Sequence, residues 1–394
     1  MREGIEAMWI YQLGIVFILL AFLGLVTRNL RDYRKPTVWM PRSHPFVSLC
    51  LPARNESANI ESCLRGLLAQ EYRHFEILVL DDCSEDDTRE IVERIAMENT
   101  QVRLVAGRPI APGWAGKCHA CAQLSEQTRG DYLLFVDADT RAEPGLLGAA
   151  LAVAEETNAD LVSAFPRQIV GSFPERVVLP MLQFLIVTLL PVRQVWESPS
   201  PALCAACGQF LLFRREAYGR VGGHAAISGS FHDGLQLARR IKTSGGKVHL
   251  FDASDLLRCR MYEGGRAVWN GFTRNAYEGL GSFGALVVMT LLLGTLFLAP
   301  FVFLGVGLAT GGSWTALCGV QVALILFMRA LQAARFGHWE SVLLSPLSIV
   351  SLIAIQWGSL QRTLRRQSVS WKGRSYESAG SSPAEQPDHH EVPL

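Results

Sequence analysis

The chain has 394 residues, enough for one catalytic domain of ordinary size together with membrane segments, and 49% of them are hydrophobic. Its 37 lysines and arginines nearly balance 36 aspartates and glutamates, and the formal net charge of +1 gives no reason to expect a nucleic-acid partner. The basic residues cluster beside apolar runs, which indicates contact with lipid headgroups instead.

The first apolar run, residues 9–26, carries no charge and is long enough to cross a bilayer of about 30 Å. Arg28, Arg31, Arg34 and Lys35 follow it at once, so the positive-inside rule places the next domain in the cytoplasm. The charges follow the apolar run and no small-x-small cleavage motif precedes them. We therefore predict an uncleaved membrane anchor with a basic flank over residues 1–35, rather than a signal peptide.

Short apolar runs that alternate with helical patterns begin at residue 46. Strands are predicted at 46–51, 75–80, 102–105 and 133–136. The helix after the first strand carries Ile60, Leu64 and Leu67 at helical spacing, with Ser57 or Asn59 as its cap. Strands that alternate with helices favour a parallel sheet with right-handed crossovers, so the predicted fold class is α/β.

Polar residues follow these strands, at the edge where open α/β sheets bind their ligands. Pro52-Ala53-Arg54-Asn55-Glu56 follows the first strand, Asp81-Asp82 the second, a loop ending in Gly116-Lys117 the third, and Asp137-Ala138-Asp139 the fourth. One acidic pair alone is often a solvated turn, but such groups at several matching strand ends indicate a nucleotide-diphosphate site. Mg²⁺ takes one or two carboxylates and completes its shell with phosphate oxygens, so Asp137 and Asp139 suit such a cation.

In order and spacing, these motifs resemble glycosyltransferase family 2, the inverting enzymes of the GT-A fold with a Rossmann-like, mostly parallel sheet. The resemblance continues through Gly208-Gln209-Phe210, Gly222-Gly223 and Asp233, and covers a catalytic domain of about residues 46–280. The loop at 113–117 and the closing Trp371-Lys372-Gly373-Arg374-x-Tyr376 are similar to the membrane-bound hopene-associated and carotenoid glycosyltransferases.

The resemblance implies roles for individual residues. A nucleotide-sugar donor, UDP-linked by default with GDP left open, would be bound by Pro52, Ala53, Arg54, Glu56, Asp81, Asp82, Lys117 and Asp137. Asp139 and Asp137 would hold Mg²⁺ or Mn²⁺. Asp233 would act as the base that takes the acceptor proton, although a helix N-cap is its ordinary structural role. His232 stands where the family has an acid, and it could orient Asp233, contact the acceptor, or do neither.

Residues 269–275 occupy the position where processive polysaccharide synthases carry Gln-x-x-Arg-Trp, and only Arg274 matches that motif. We therefore expect transfer of a single sugar rather than synthesis of a polymer. Arg274 is a candidate for contact with the diphosphate or the acceptor, and its alternative role is to face lipid headgroups.

Three further apolar runs, at 285–309, 314–328 and 342–360, predict two to three membrane helices within residues 285–360. Three full crossings would place the basic part of segment 361–394 outside, against the charge rule. Either one run is re-entrant or interfacial, or the rule fails here. The apolar stretch 177–192 is predicted to be an interfacial helix that guides a lipid acceptor, with a core helix as the alternative. From Ser375 onward the composition predicts a disordered tail.

Nine cysteines include the pairs Cys118/Cys121 and Cys204/Cys207, each with C-x-x-C spacing. Two such pairs can build a zinc site. Both lie among small residues, however, and a cytoplasmic domain keeps thiols reduced. We interpret them as small buried hydrophobes rather than metal ligands.

The predicted function is inverting transfer of one sugar from a nucleotide sugar to a membrane lipid, with a hopanoid- or carotenoid-like polyisoprenoid acceptor implied by the resemblance alone. The alternatives are a glycosyltransferase acting on a glycerolipid or a polyprenyl phosphate, and a membrane-associated nucleotidyltransferase, which would usually carry a glycine-rich phosphate loop near its first strand. A transporter or scaffold would leave the acidic residues without a joint purpose. The predicted location is the cell membrane, with several crossings and a cytoplasmic catalytic domain.

Overall fold

The computed structural model describes residues 2–365, 369–372 and 374–376. The strands are β1 Val47–Ala53, β2 Phe75–Asp81, β3 Val102–Ala106, β4 Tyr132–Val136, β5 Thr140–Ala142, β6 Leu161–Ala164, β7 Arg167–Gln168, β8 Phe210–Arg214, β9 Val248–Phe251, β10 Leu257–Cys259, β11 Val369–Trp371 and β12 Arg374–Tyr376. The first two residues of the predicted disordered tail, Ser375 and Tyr376, end β12, and the rest of that tail lies outside the described residues.

The helices, in chain order, are α1 Arg2–Asp32, α2 Ile60–Leu68, α3 Thr88–Glu98, α4 Gly116–Glu126, α5 Leu146–Thr157, α6 Phe173–Val178, α7 Met181–Phe184, α8 Arg193–Glu197, α9 Arg215–Arg220, α10 Asp233–Thr243, α11 Gly264–Leu280, α12 Phe283–Leu293, α13 Ala299–Thr310, α14 Thr315–Phe336, α15 Glu340–Leu343 and α16 Ser345–Leu364. Two π-helical turns, Leu185–Leu189 and Gly294–Leu298, lie between helices.

Seven strands form the main sheet, in the order β3-β2-β1-β4-β8-β6-β9. The neighbours β3, β2, β1 and β4 are parallel, and β8 alone runs antiparallel to the strands beside it. Of the parallel strands, β1, β2 and β4 are almost wholly buried and mainly apolar, because helices cover both faces of the sheet, whereas the edge strand β3 buries only Val102. The predicted α/β class with a mostly parallel sheet is confirmed.

Alternate side chains of the strands enter two different cores, because successive residues of a strand point to opposite faces. Leu49 of β1 packs in the core that includes buried residues of α2, α3 and α5. Cys50 belongs to the other core, which includes residues of α4 and α10. This second core continues into Leu19 of α1 and Ile325 of α14. One face of the catalytic sheet is thus packed continuously with the apolar N- and C-terminal helices.

Among the described residues, three helices are long and apolar enough to cross a membrane, namely Glu6–Asp32, Phe283–Thr310 and Thr315–Phe336. They contain the predicted N-terminal anchor and the first two predicted C-terminal runs. Within them, the buried side chains of Gln321 and Gln12 form a hydrogen bond of 2.8 Å between α14 and α1. A polar pair of this kind holds apolar helices together in a fixed register.

The third predicted run forms α15 and α16, and α16 is not among the described helices that satisfy both conditions. Instead it lies against α11. A Cβ on Gly358 would come within 3.0 Å of the Trp269 ring, so the glycine allows close packing there. Ser359 Oγ accepts a hydrogen bond of 3.0 Å from the Tyr277 N–H, and Arg362 donates one of 2.8 Å to Asn270 Oδ1.

The stretch 177–192 is not a single helix. It comprises the end of α6, all of α7 and the π-helical turn Leu185–Leu189, because Pro180 and Pro191 interrupt the helical hydrogen bonding. The Asn29 side chain of α1 forms hydrogen bonds with backbone groups that this interruption leaves unpaired. Its amide donates to the Val187 carbonyl at 2.8 Å and accepts from the Val192 N–H at 3.1 Å. The stretch therefore lies between α1 and the catalytic sheet, and its acceptor-guiding role stays a prediction.

Candidate active site

Lys117 joins two carboxylates at the carboxyl edge of the sheet. It lies in the first turn of α4, and its Nζ is 2.7 Å from Oδ1 of Asp137, which follows β4. The same Nζ is 2.9 Å from Oδ2 of Asp233, the first residue of α10, and donates to the Gly208 carbonyl at 3.0 Å. Residues predicted to serve the donor and the acceptor therefore share one cation.

Two glycines make this approach possible. A Cβ on Gly208 would lie 2.2 Å from Asp233 Oδ1, and a Cβ on Gly234 would lie 2.7 Å from the Gly208 nitrogen. A side chain at 208 would displace the Asp233 carboxylate, and one at 234 would force the start of α10 away from the backbone of the loop before β8. The Gly208-Gln209-Phe210 motif thus has a physical reason, which is to bring Asp233 against Lys117.

The electrostatics of this group are dominated by burial and by Lys117. Burial alone would raise the pKa of Asp233, but the ammonium of Lys117 and the imidazole of His224 outweigh it and hold that pKa well below its usual range. Burial would lower the pKa of Lys117, whereas Asp137 and Asp233 raise it well above normal. Lys117 and Asp233 are therefore both charged at neutral pH.

The carboxylates of Asp137, Asp139 and Asp233 outnumber the Lys117 ammonium that lies among them. Burial, then the neighbouring charges of Asp137 and Glu56, raise the pKa of Asp139 to about 7. Asp139 Oδ1 is buried and has no hydrogen-bond partner among the described residues. No three of the described His, Cys, Asp and Glu residues cluster as possible ligands of one metal ion. Two carboxylates with spare oxygens fit a divalent cation whose remaining ligands are diphosphate and water.

The loops after β1 and β2 are tied together by Arg54, which is only 5% exposed. Its Nη1 donates to the Asp82 carbonyl at 2.8 Å and also bonds the Cys83 carbonyl, and its Nη2 contacts Glu85 at 2.8 Å. The guanidinium is thus engaged with protein groups, and in this structure it fixes the shape of the predicted nucleotide site.

The remaining residues predicted to bind the nucleotide lie at the same edge. Pro52 and Ala53 end β1, and the Ala53 carbonyl accepts a hydrogen bond of 2.8 Å from the Asp82 N–H. Asp81 ends β2, and its Oδ1 accepts from the Ser84 N–H at 3.1 Å. Both aspartates are buried. The structure therefore brings these predicted donor residues to one sheet edge.

His232 and His224 take positions that the sequence did not indicate. The His232 ring bonds the Asn275 carbonyl of α11 at 2.8 Å, so it links α10 to α11. His224 is fully buried, and burial lowers its pKa; its Nε2 lies 3.9 Å from Asp233 Oδ2, too far for a hydrogen bond. Its Nδ1 lies 2.9 Å from the Tyr218 hydroxyl, which fixes the ring. The one available signal was the Gly222-Gly223 turn that precedes His224.

Arg274 lies beside Tyr262, a second residue that the sequence did not single out. Burial raises the pKa of Tyr262, while the nearby charge of Arg274 lowers it and that of Asp139 raises it. A Cβ on Gly271 would come within 2.2 Å of the Tyr262 ring. The glycine that replaces the glutamine of Gln-x-x-Arg-Trp is therefore required by the Tyr262 ring, which lies between α11 and the Asp139 side of the site.

All nine cysteines are free thiols. Burial raises the pKa of Cys118 and Cys121 above the usual range, so both are protonated at neutral pH. Cys118 Sγ donates to the Ser230 carbonyl at 3.3 Å. These properties are those of packed, unreactive thiols.

The model of the family described as glycosyl transferase family 2 matches residues 48–222. The 4,4'-diaponeurosporenoate glycosyltransferase of Staphylococcus haemolyticus is 25% identical to the chain over 353 residues, which cover 84% of the chain and 88% of that relative. The beta-monoglucosyldiacylglycerol synthase of Trichormus variabilis is 31% identical over 170 residues, which cover 42% of the chain and 33% of that relative. The predicted resemblance to glycosyl transferase family 2, with carotenoid glycosyltransferases among the relatives, is confirmed.

Among solved structures, the chain resembles the mannosyltransferase PcManGT of Pyrobaculum calidifontis, determined in complex with GDP-Man and Mn²⁺. The TM-score is 0.57 at 19% identity, and the match covers 92% of the chain and 99% of that structure. At this identity the likeness shows the fold, and the predicted GT-A class is confirmed.

Proposed function

We propose that the chain transfers a single sugar from a nucleoside diphosphate sugar to a membrane lipid, with inversion at the anomeric carbon. Residues 48–222 form a glycosyl transferase family 2 domain, so the chain is a glycosyltransferase. The observation that carries this proposal is the position of Lys117, whose Nζ lies within 3 Å of both Asp137 and Asp233. It supports the proposal because the carboxylate that would bind the donor and the carboxylate that would activate the acceptor then lie on either side of one ammonium.

On the donor side, the loops after β1 and β2 receive the nucleotide, and Lys117 faces its diphosphate. Asp137 and Asp139 would hold a divalent cation, which when bound neutralises the charge that develops on the departing diphosphate. Arg274, beside Tyr262 and the Asp139 side of the site, is suited to the same phosphate oxygens. A positively charged cradle of this kind stabilises the leaving group most strongly in the transition state.

On the acceptor side, Asp233 removes the proton from the attacking group, and a single displacement with one base inverts the anomeric centre. In the structure Lys117 makes Asp233 a weak base, because it holds the carboxylate in its charged form. A diphosphate bound at Lys117 would compete for the ammonium and so raise the basicity of Asp233. Donor binding would thereby prepare the base for the acceptor.

A membrane acceptor is supported by the packing and by the relatives. The core beneath the sheet continues into α1 and α14. One relative is named for a lipid-like substrate, diaponeurosporenoate, and another for a glycolipid product, monoglucosyldiacylglycerol. A polyisoprenoid acceptor is favoured over a glycerolipid because the diaponeurosporenoate relative covers 84% of the chain and the other 42%. The lipid would reach the site along residues 177–192.

For the topology, we propose an anchor (1–35), a cytoplasmic catalytic domain (46–280) and a C-terminal membrane region (285–360) with two crossings. Two candidate spans follow the domain, and α16 lies against α11. The chain then returns to the domain's side, where Lys372 contacts Asn55. Two crossings also keep the basic residues after α16 in the cytoplasm, as the charge rule requires.

The test is to incubate the full-length chain in lipid nanodiscs with UDP- or GDP-sugars, with and without extracts of membrane lipid. We expect lipid-dependent release of a nucleoside diphosphate and a new glycolipid. In a parallel reaction with added pyrophosphate, formation of a nucleoside triphosphate and a sugar 1-phosphate would identify a nucleotidyltransferase instead. No turnover of any nucleotide sugar would remove the proposal.

A further inference from the structure

We propose that Lys372, which lies between the two short strands β11 and β12 near the end of the chain, is a donor-binding residue whose ammonium contacts the diphosphate of the nucleotide sugar. This inference rests on the proposed function, since it names a further residue of the same donor site. It gives a role to the Trp371-Lys372-Gly373-Arg374 motif, which the chemistry described above leaves unused.

The backbone of Lys372 is fixed to the loop after β1. Its carbonyl accepts hydrogen bonds from Arg54 Nε at 2.9 Å and from Asn55 Nδ2 at 3.2 Å. Lys372 itself has a left-handed φ of 50°, a conformation that a non-glycine residue adopts only when its surroundings hold it there. Since Arg54 also holds the loop after β2, one guanidinium joins three parts of the chain.

The side chain of Lys372 points to the acidic edge. Its Nζ lies 3.0 Å from Glu56 Oε1 and donates to the Asn55 carbonyl at 3.1 Å, and about a third of the side chain, 31%, stays exposed. Glu56 precedes α2, and Cys63 of α2 contacts the Asp137 carbonyl with its Sγ at 3.8 Å. The ammonium therefore lies on the side of the site where Asp137 and Asp139 stand.

The charge and the accessibility of Lys372 indicate that it contacts the phosphates of the donor. Lys117, which faces the diphosphate, is shared by two carboxylates, and Arg54 is engaged with loop carbonyls, so a further cation is needed to balance the phosphate charge. Lys372 has a single carboxylate partner, keeps an exposed side chain, and comes from a segment far from the sheet in sequence. A lysine ammonium is a compact charge with three donors, which suits a phosphate group better than an uncharged base or ribose.

The first test is titration of UDP and of GDP, each with Mg²⁺, into the full-length chain and into Lys372→Gln. We expect Lys372→Gln to bind the diphosphate roughly tenfold more weakly, Lys372→Arg to bind like wild type, and uridine or guanosine alone to be unaffected. A purely structural role, through the side-chain contacts with Glu56 and Asn55, would weaken binding of the nucleoside and of the diphosphate alike. The matched control is Lys247→Gln, an exposed lysine that precedes β9 at the opposite edge of the sheet.

The second test uses the unmodified protein and so does not depend on a variant's folding. Lysines are acetylated with and without saturating nucleoside diphosphate and quantified by mass spectrometry. We expect the nucleotide to protect Lys372 and not Lys247. If wild type binds neither UDP nor GDP, the proposed function fails. If it binds one of them and neither Lys372→Gln nor the protection experiment shows a difference, the assignment of Lys372 is overturned while the function stands.

Discussion

The ammonium of Lys117 lies 2.9 Å from the Asp233 carboxylate, so the proposed base is paired with a cation before any substrate binds. The same ammonium lies 2.7 Å from Asp137, on the donor side. Asp233 therefore becomes an effective base only when another anion pairs with the Lys117 ammonium. The donor diphosphate is the group that would do so, and this would favour reaction with the acceptor after the donor has bound.

Replacing Lys117 by glutamine should lower transfer by about 100-fold, because a phosphate-facing cation is lost. The pH dependence should change as well. Lys117 holds the pKa of Asp233 low, so in wild type Asp233 stays ionised far into the acid range. In Lys117→Gln that pKa rises, Asp233 is protonated at a higher pH, and the acid limb of the rate profile moves upward. An unmoved acid limb would show that Asp233 is not the group that titrates.

Replacing Gly208 by alanine should displace the base, because the new Cβ would lie 2.2 Å from Asp233 Oδ1. A misplacement of the reacting group by about 1 Å costs about 100-fold in rate. The affinity for the nucleotide should change much less. The matched control is Gly219→Ala in α9, where a Cβ would meet nothing within 4 Å. Comparable kinetics in the two variants would contradict the close approach of Asp233 to residue 208.

Asp139→Asn should abolish transfer and leave the protein at least as stable as wild type. Activity would be lost because the cation loses a carboxylate ligand, a contribution of several kcal/mol. Stability would be kept because Asp139 is buried beside Asp137 and the change relieves their repulsion. Thermal unfolding in chelator and transfer rates in Mg²⁺ or Mn²⁺ measure the two effects. Normal transfer by this variant would place the cation elsewhere.

Glu175 should make stability depend on pH. Burial would raise its pKa, but hydrogen bonds from Ser172, Gly264 and Gly171 outweigh burial and lower the pKa to about 2. Because the folded-state pKa lies below the unfolded value, this stabilisation is present above about pH 4.5 and is lost as the pH falls toward 2.

The variant Glu175→Gln tests this dependence. Its free energy of unfolding at neutral pH should be about 2 kcal/mol lower than that of wild type. Between pH 5 and 3, its thermal unfolding midpoint should fall less than the wild-type midpoint does. Parallel midpoint curves for the two proteins would exclude Glu175 as the source. The glutamate joins the start of α6 to the start of α11, so a loss here should loosen both.

Much of the donor side could be predicted from the sequence, because each strand carries its polar residues directly at its end. Asp81, Asp137 and their neighbours needed only the alternation of strands and helices to be placed on one edge. Lys372 could not be found in this way, because its partner Glu56 is distant in sequence. His224 and Tyr262 lie near Asp233 and Arg274 in the chain, but neither belongs to a pattern that the strand ends predict. The contact of Lys372 with Glu56, for example, spans almost the whole catalytic domain and the membrane helices.

The membrane region was predictable in composition but not in shape. Apolar length predicted the three helices that are candidate membrane spans, since such a helix needs little beyond uncharged residues. It did not reveal that α16 lies against α11, which depends on Gly358 and Ser359 meeting specific partners. Nor did it reveal that residues 177–192 break into short helical segments, although Pro180 and Pro191 were visible, because Asn29 of α1 supplies the compensating hydrogen bonds.

The most direct test of the central claim is the anomeric configuration of the glycolipid made by the full-length chain and by Asp233→Asn. The product of wild type, analysed by NMR after transfer from an α-linked nucleotide sugar, should be the β-glycoside. Asp233→Asn should bind the nucleoside diphosphate normally and form product about 10²–10⁴-fold more slowly, the range typical for loss of a general base. An α-linked product, or wild-type rates in Asp233→Asn, would contradict single displacement with Asp233 as the base.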